Sequence, residues 1–341
     1  MSFKRLAGQK DIKIRLRHEY MGDPHHAFLF TGAEGSGRHE FSREFSKALL
    51  CSSPNEDGAC GNCDNCRYFD AGTHPDFICL FDINGKNIKV EDVRSRIVSD
   101  IRIGSQISKR KVYLIEGSEL NEAGQNALLK SLEEPPSDVI FIIICKDAQE
   151  LLPTVLSRTV EYKLRNYEKD DIMSVLRKKN EEKFEGKFKE DELQFICEFS
   201  SGSIGKAVDL LGDEELPVMR EKMLELITNI GKDSYTTILN ERYSYFMENA
   251  DNIRELMLFL LWILGDLAVL RKDRDSNLIK NSDRKDVLVG FLDDNPSVDL
   301  NRIYKASGHV NTVFKRIELN VNNLYVIGDL LLGLKKEFKN D

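Results

Sequence analysis

No apolar run in this 341-residue sequence is long enough to cross a bilayer. The most apolar segment, Leu256 to Leu264, is followed at once by Gly265 and Asp266. The start, MSFKRLAGQKDIKIR, lacks the apolar stretch of a signal peptide. A cytoplasmic protein without a membrane partner is therefore expected, and in that compartment paired disulfides are disfavoured. Positive charge is also in short supply. The 49 lysines and arginines face 57 acidic residues, a formal net charge of −8. That excludes nucleic-acid binding by bulk charge, so any DNA contact has to be local. Internal repeats and low-complexity tracts are missing too. What remains, 41% hydrophobic and 31% charged, is the make-up of a globular chain with a full core rather than a disordered one.

The first half reads as α/β. Strand-like runs occur at Ala27–Phe30, Phe77–Phe81, Val112–Ile115 and Val139–Cys145. Near-continuous apolar strands fit a parallel sheet covered on both faces. Helical patterns lie between them: Phe41, Phe45, Ala48 and Leu49 share a face, as do Val90, Val93, Ile97 and Ile101. Pro135 and Pro136 should end the helix carrying Leu128 and Leu132. After Leu164 the strand signal disappears and helical patterns run to the end, including Ile253–Leu270 and Asn320–Lys336. The expected architecture is α/β plus all-α in three domains. These are an α/β domain over 1–165, a small helical domain over 166–213 and a helical C-terminal domain over 214–341.

After the first strand comes Gly32-Ala33-Glu34-Gly35-Ser36-Gly37-Arg38-His39. Its glycine spacing is that of a phosphate-binding loop between a strand and a helix, where backbone N–H groups and a helix N-terminus cradle phosphates. The working loop needs a lysine on the β and γ oxygens and a hydroxyl on Mg²⁺. Here those positions hold Arg38 and His39. Arginine keeps the charge in a different shape, and histidine is a poor Mg²⁺ ligand. The strand-end Asp-Glu pair expected of such a site is Glu116-Gly117. Glu116 is left to meet a cation, but Gly117 offers no base. Gly32, Gly35, Gly37, Arg38 and Glu116 therefore make an altered nucleotide site. It is expected to hydrolyse ATP very slowly or not at all, and to bind nucleotide weakly at best.

Cys51, Cys60, Cys63 and Cys66 have the spacing C-x8-C-x2-C-x2-C. Four thiolates at such spacing can close a tetrahedral, structural Zn²⁺ site within a knuckle at about 51–70. Four inert thiols or an iron–sulfur cluster are the other readings. Gly58, Gly61, Asn62 and Asn65 are expected to supply the turns. Cys79, Cys145 and Cys197 sit in apolar runs and read as buried small residues.

Several stretches, in order, resemble the delta-prime subunits of the bacterial DNA polymerase III clamp loader, within the AAA+ group. They are the cysteine loop followed by Gly72-Thr73-His74-Pro75-Asp76-Phe77, the segment Asn126 to Pro136 (NALLKSLEEPP), Leu151 to Arg158 (LLPTVLSR), and Asn320-Val321-Asn322-Asn323-Leu324. The resemblance implies an AAA+ P-loop parallel-sheet domain with a zinc-knuckle insertion, a small helical lid and a helical collar used for oligomerisation. It implies assembly with gamma/tau and delta subunits, contact with the sliding clamp, and primed DNA met through the assembly. ATP would sit in neighbouring subunits, and Arg158 would reach a neighbour's γ-phosphate in trans. Such a chain is a component of the polymerase holoenzyme with no ATPase of its own. The family writes Ser-Arg-Cys where Thr159 follows Arg158 here. Its ATP-using members carry Gly-Ser-x-Arg where this chain has Gly202-Ser203-Ile204-Gly205. An ATP-hydrolysing gamma/tau-like motor subunit of the same architecture is the alternative.

Two features stay apart from that scheme. Arg102, Lys109, Arg110 and Lys111 form a local basic cluster, facing either duplex DNA or solvent. His25, His26 and His74 have no metal-like spacing and read as structural or exposed.

Overall fold

The computed structural model describes residues 3–81, 88–276, 278–318 and 323–339. They fall into two compact units, Met1–Lys187 with Phe199–Asp209, and Phe188–Glu198 with Leu210–Asp341. The Asn320–Asn322 part of the collar-like motif lies outside the described residues.

The first unit is built on a parallel five-stranded sheet: β1 (Ala27–Thr31), β2 (Phe77–Leu80), β3 (Lys111–Glu116), β4 (Val139–Cys145) and β5 (Val160–Lys163). The strand order is β2-β3-β4-β1-β5. Both faces are apolar. Phe28 and Phe30 point into one core with Phe45, Leu114 and Ile142. Ala27 and Leu29 point into the other with Tyr113, Ile115 and Phe141. Period-two geometry thus puts alternate residues of an unbroken apolar run into two cores at once.

Helices α1 (Lys10–Met21), α2 (Arg38–Leu50), α3 (Asp64–Asp70), α4 (Val90–Val93), α5 (Glu122–Glu133) and α6 (Pro153–Leu156) flank the strands. α5 ends before Pro135 and Pro136, as their chemistry requires. α4 runs into a π-helical turn at Arg94–Val98. That turn breaks the single face expected for Val90, Val93, Ile97 and Ile101. Val93 and Ile97 are still fully buried, whereas Ile101 is only partly so.

The basic cluster is dispersed. Lys111 opens β3 and is fully buried, its Nζ 2.7 Å from Asp100 Oδ2 and 3.0 Å from Ile103 O. Arg110 donates to Gly22 O at 2.9 Å. Lys111 is therefore withheld from DNA, whereas Arg110 is held by a neutral carbonyl and keeps its charge. The neighbouring loop is fixed by Asp76, which is wholly buried. Asp76 accepts from the backbone N–H of Gln106 at 2.6 Å, Ile107 at 2.9 Å and Ser108 at 2.9 Å, and from the Ser108 hydroxyl at 3.0 Å. Burial alone would raise its pKa, but these donors outweigh burial and hold the carboxyl below its ordinary 3.8. A depressed carboxyl stabilises the fold above that ordinary value and loses its contribution as pH falls through the folded-state value. Asp76→Asn should therefore lower stability at pH 7 by about 3 kcal/mol. The difference should shrink on acidification below pH 3.8. Urea titrations of both proteins across that range check it, and equal stability at pH 7 contradicts it.

Helices α7 (Lys169–Phe184), α8 (Glu190–Phe199) and α9 (Ile204–Leu211) follow. Within the second unit come α10 (Glu215–Asn229), α11 (Tyr235–Thr237), α12 (Tyr243–Glu248), α13 (Ile253–Lys272), α14 (Lys285–Asp294), α15 (Leu300–Glu318) and α16 (Asn323–Phe338). α13 is the core helix. Leu256, Leu260, Ile263, Leu264 and Leu267 are completely buried, because its apolar residues surround nearly the whole helix. Trp262 packs edge-on against Phe195, with ring centroids 5.9 Å apart. Among the described residues, no helix is long and apolar enough to cross a membrane.

Candidate functional site

The strand order places the C-terminal ends of β1 and β3 on either side of β4. The glycine-rich loop leaves β1 there, and Glu116 closes β3. Gly35 and Gly37 take left-handed φ values of +72° and +80°, which glycine adopts without strain. Gly37 is the residue that turns the chain into α2.

Arg38 folds back on the loop it belongs to. Its Nη1 donates to Gly32 O at 2.9 Å and to Ala33 O at 3.2 Å, and the residue is 7% exposed. The guanidinium is thus spent on the loop's own carbonyls. His39 Nε2 stands 3.5 Å from Glu116 Oε2. Burial lowers the His39 pKa, aided by Arg38, which favours a neutral ring. Burial raises the Glu116 pKa, opposed by Arg38. Gly117 is packed shut, since a Cβ there would lie 2.8 Å from Ile143 Cγ2 and 3.1 Å from Ile144 O. The position where a base is expected has no room for one.

The start of α9 lies on the loop. Gly205 N donates to Gly35 O at 2.9 Å, and Ser203 Oγ donates to Glu34 O at 3.2 Å. A Cβ on Gly205 would come within 2.5 Å of Gly35 Cα. Tyr167 adds a hydroxyl bond to Ser36 O at 2.7 Å. Among the described residues, the buried atoms Ser36 Oγ, Arg38 Nε and Glu116 Oε1 have no hydrogen-bond partner. They leave polar lining for water or a small polar ligand. As a place for ATP the fit is partial, with backbone N–H groups and a helix start present but no hydroxyl for Mg²⁺ and no lysine.

The four cysteines converge. Their sulfurs all lie within 4.8 Å of one another. Cys51 and Cys63 are 3.8 Å apart, and Cys60 and Cys66 are 3.9 Å apart. A tetrahedron with Zn–S bonds of about 2.3 Å has edges of about 3.8 Å, so the donor set fits this ion. α2 ends at Leu50 and delivers Cys51. Cys63 caps α3 by accepting from Cys66 N. Backbone N–H groups also point at the sulfurs, Cys60 N to Cys51 Sγ at 3.2 Å. Burial opposes ionisation of Cys63, but donors from Ser52 and Cys66 outweigh it and bring the thiol to about 6. Asn65 is an anchor rather than a turn residue. It is 6% exposed and donates to Leu50 O at 2.8 Å. Of the other thiols, Cys145 and Cys197 are buried, while Cys79 is half-buried. His74 is buried and accepts from Asp76 N at 3.1 Å, a structural role.

Arg158 follows α6 and keeps 31% of its side chain exposed. It is 2.6 Å from Glu133 Oε1 at the end of α5 and donates to Thr154 O at 2.7 Å. Glu133 had no assigned role in the sequence, although it lies within the motif at 126–136.

A parallel α/β sheet, a glycine loop feeding a helix at β1 and an acidic residue at the end of β3 define an α/β fold of the P-loop type. A protein family described as "DNA polymerase III, delta subunit" matches residues 8–168. DNA polymerase III subunit gamma of Buchnera aphidicola (subsp. Schizaphis graminum) is 34% identical over 212 residues, 62% of this chain and 57% of that protein. DNA polymerase III subunit delta' of Pseudomonas aeruginosa is 41% identical over 138 residues, 40% of this chain and 42% of that protein. The chain therefore spans about half the length of these relatives. A Thermotoga maritima structure, of a DNA polymerase III gamma subunit-related protein, is 17% identical with a TM-score of 0.44, covering 96% of this chain and 100% of that one. Residues 8–168, just under half of this chain, are thus similar to this DNA polymerase III family.

Proposed function

We propose that the chain acts as the delta-prime-type subunit of a cytoplasmic clamp loader. It assembles with gamma/tau and delta subunits, hydrolyses no ATP itself, and helps place the sliding clamp on primed DNA. The observation that carries this reading is the Arg38 guanidinium, hydrogen-bonded to Gly32 O and Ala33 O. A charge engaged by the loop is withheld from a phosphate. The packed Gly117 and the Gly205–Gly35 contact support the same reading. Arg158 is the working group. Placed on a neighbour's γ-phosphate, its guanidinium stabilises the charge that develops in transfer. Zn²⁺ held by Cys51, Cys60, Cys63 and Cys66 braces the segment between α2 and α3 and takes no part in chemistry. Division into nucleotide-loop domain, lid over 166–213 and collar over 214–341 belongs to this reading.

Equilibrium ATP binding by the isolated chain tests it. Weak or absent binding without turnover is expected, and sub-micromolar affinity with turnover overturns it. The second reading, a gamma/tau-like motor, is favoured by the longer match to a gamma subunit, 212 residues against 138 for delta'. The same experiment separates the two.

A further inference from the structure

The second unit carries a basic groove that the clamp-loader scheme leaves unused. It holds about 1280 Å³ between α15 and α16, with Tyr235 at its edge. Each helix contributes a stripe. On α15, Asn301, Lys305, Gly308 and Thr312 line the groove at helical spacing, with Arg302 beside them; Leu332, Lys335 and Lys336 of α16 and Lys339 just after it line the other side. Lys305, Lys336 and Lys339 are exposed. Two carboxylates line the groove against five lysine and arginine side chains. Asp299 accepts the backbone N–H of Arg302 at 2.8 Å. Glu337 is buried, 3.9 Å from His309 Nε2. The walls are tightly packed: a Cβ on Gly333 would meet the His309 ring at 2.9 Å. Arg302 also ties the helix ends together by donating to Lys339 O at 3.2 Å.

Two aromatic rings accompany this charge. Tyr304 is 78% exposed and Tyr235 is 61% exposed. Tyr304 is three residues after Asn301 and four before Gly308, so it flanks the lining stripe of α15. Large exposed rings beside lysines that make no ion pair among the described residues suit a strand that offers both phosphates and unstacked bases. An acidic peptide would use the lysines and leave the rings idle, and a duplex keeps its bases stacked. We propose that this groove binds single-stranded DNA, the lysines taking its phosphates and Tyr304 stacking a base. The choice of DNA as that strand rests on the clamp-loader reading proposed above. The inference does not depend on whether the glycine loop uses ATP. It also accommodates the overall charge of −8, because the attraction is local.

The test is fluorescence anisotropy of a labelled 20-nucleotide oligo-dT with the full chain at several salt concentrations. Binding is expected at 50 mM salt and should weaken steeply as salt rises. K305E/K336E/K339E should weaken it by more than about tenfold, and K305Q/K336Q/K339Q should lower the salt slope by about 2, near 0.7 per lost phosphate contact. Tyr304→Ala should cost about fivefold or more. All variants should keep the parent's thermal midpoint. Absence of binding at 50 mM salt overturns the proposal. So does undiminished binding by the glutamate variant, or stronger competition by oligo-rU or polyglutamate than by unlabelled oligo-dT.

Discussion

Arg158→Ala in a reconstituted loader is expected to lower ATP turnover at the site it serves by about 10³-fold, with assembly intact. An arginine supplied in trans to a transferring phosphoryl group is worth roughly 10³–10⁵ in rate, because a fixed guanidinium meets charge that appears only in the transition state. A trans role would have Arg158 leave the contacts it makes in the free chain. In the free chain Arg158 is paired with Glu133 at 2.6 Å, the two side chains 31% and 48% exposed. An ion pair this accessible is worth about 0–1 kcal/mol, so moving to a γ-phosphate costs little. The bonds to Thr154 O and Ser157 Oγ keep the side chain ordered meanwhile. Arg158→Lys should recover only part of the rate, since an ammonium lacks the planar fork. Steady-state turnover, with assembly checked by size-exclusion chromatography, reads this out. Unchanged turnover removes the trans role.

The second large effect concerns the cysteines. Cys63→Ser is expected to abolish binding of one Zn²⁺ per chain and to destabilise the first unit. Sulfur separations of 3.8 and 3.9 Å already match a zinc tetrahedron. α2, the Cys63 cap on α3 and Asn65 hold the ligands in place, so little ordering is left for the metal to drive. A metal bound only by the folded state stabilises it by about 4 kcal/mol when free metal exceeds Kd a thousandfold. Metal analysis with thermal melts of parent, variant and chelated protein measures the loss. Limited proteolysis should then cut near 51–70. A metal-free parent with an unchanged midpoint contradicts the assignment.

Much of the fold was legible because burial on both sheet faces forces unbroken apolar runs, and β1, β3 and β4 are such runs. β5 escaped notice because Val160–Lys163 is a four-residue edge strand in which only Tyr162 is fully buried. The π-helical turn at Arg94–Val98 leaves no trace in an apolar pattern read at 3.6 residues per turn. At the sites, ligand spacing along the chain revealed the cysteines and the glycine loop. What Arg38 does could not be read there, since its partners are backbone carbonyls that no side-chain pattern encodes. Lys111 looked like surface because it ends a basic run, while Asp100, the partner that allows its burial, sits elsewhere in the chain. The groove of α15 and α16 was missed for a related reason. Its cations lie between Arg302 and Lys339, and only the pairing of two helices brings them to one channel.

On the proposed reading, this chain gives an arginine to a neighbour's ATP while its own loop stays out of the chemistry. Steady-state ATP turnover of one assembly, reconstituted in parallel with the parent, Arg38→Ala and Arg158→Ala chains, tests it most directly. Turnover unchanged by Arg38→Ala and sharply reduced by Arg158→Ala is the expected result. Turnover that falls with Arg38→Ala and survives Arg158→Ala contradicts it.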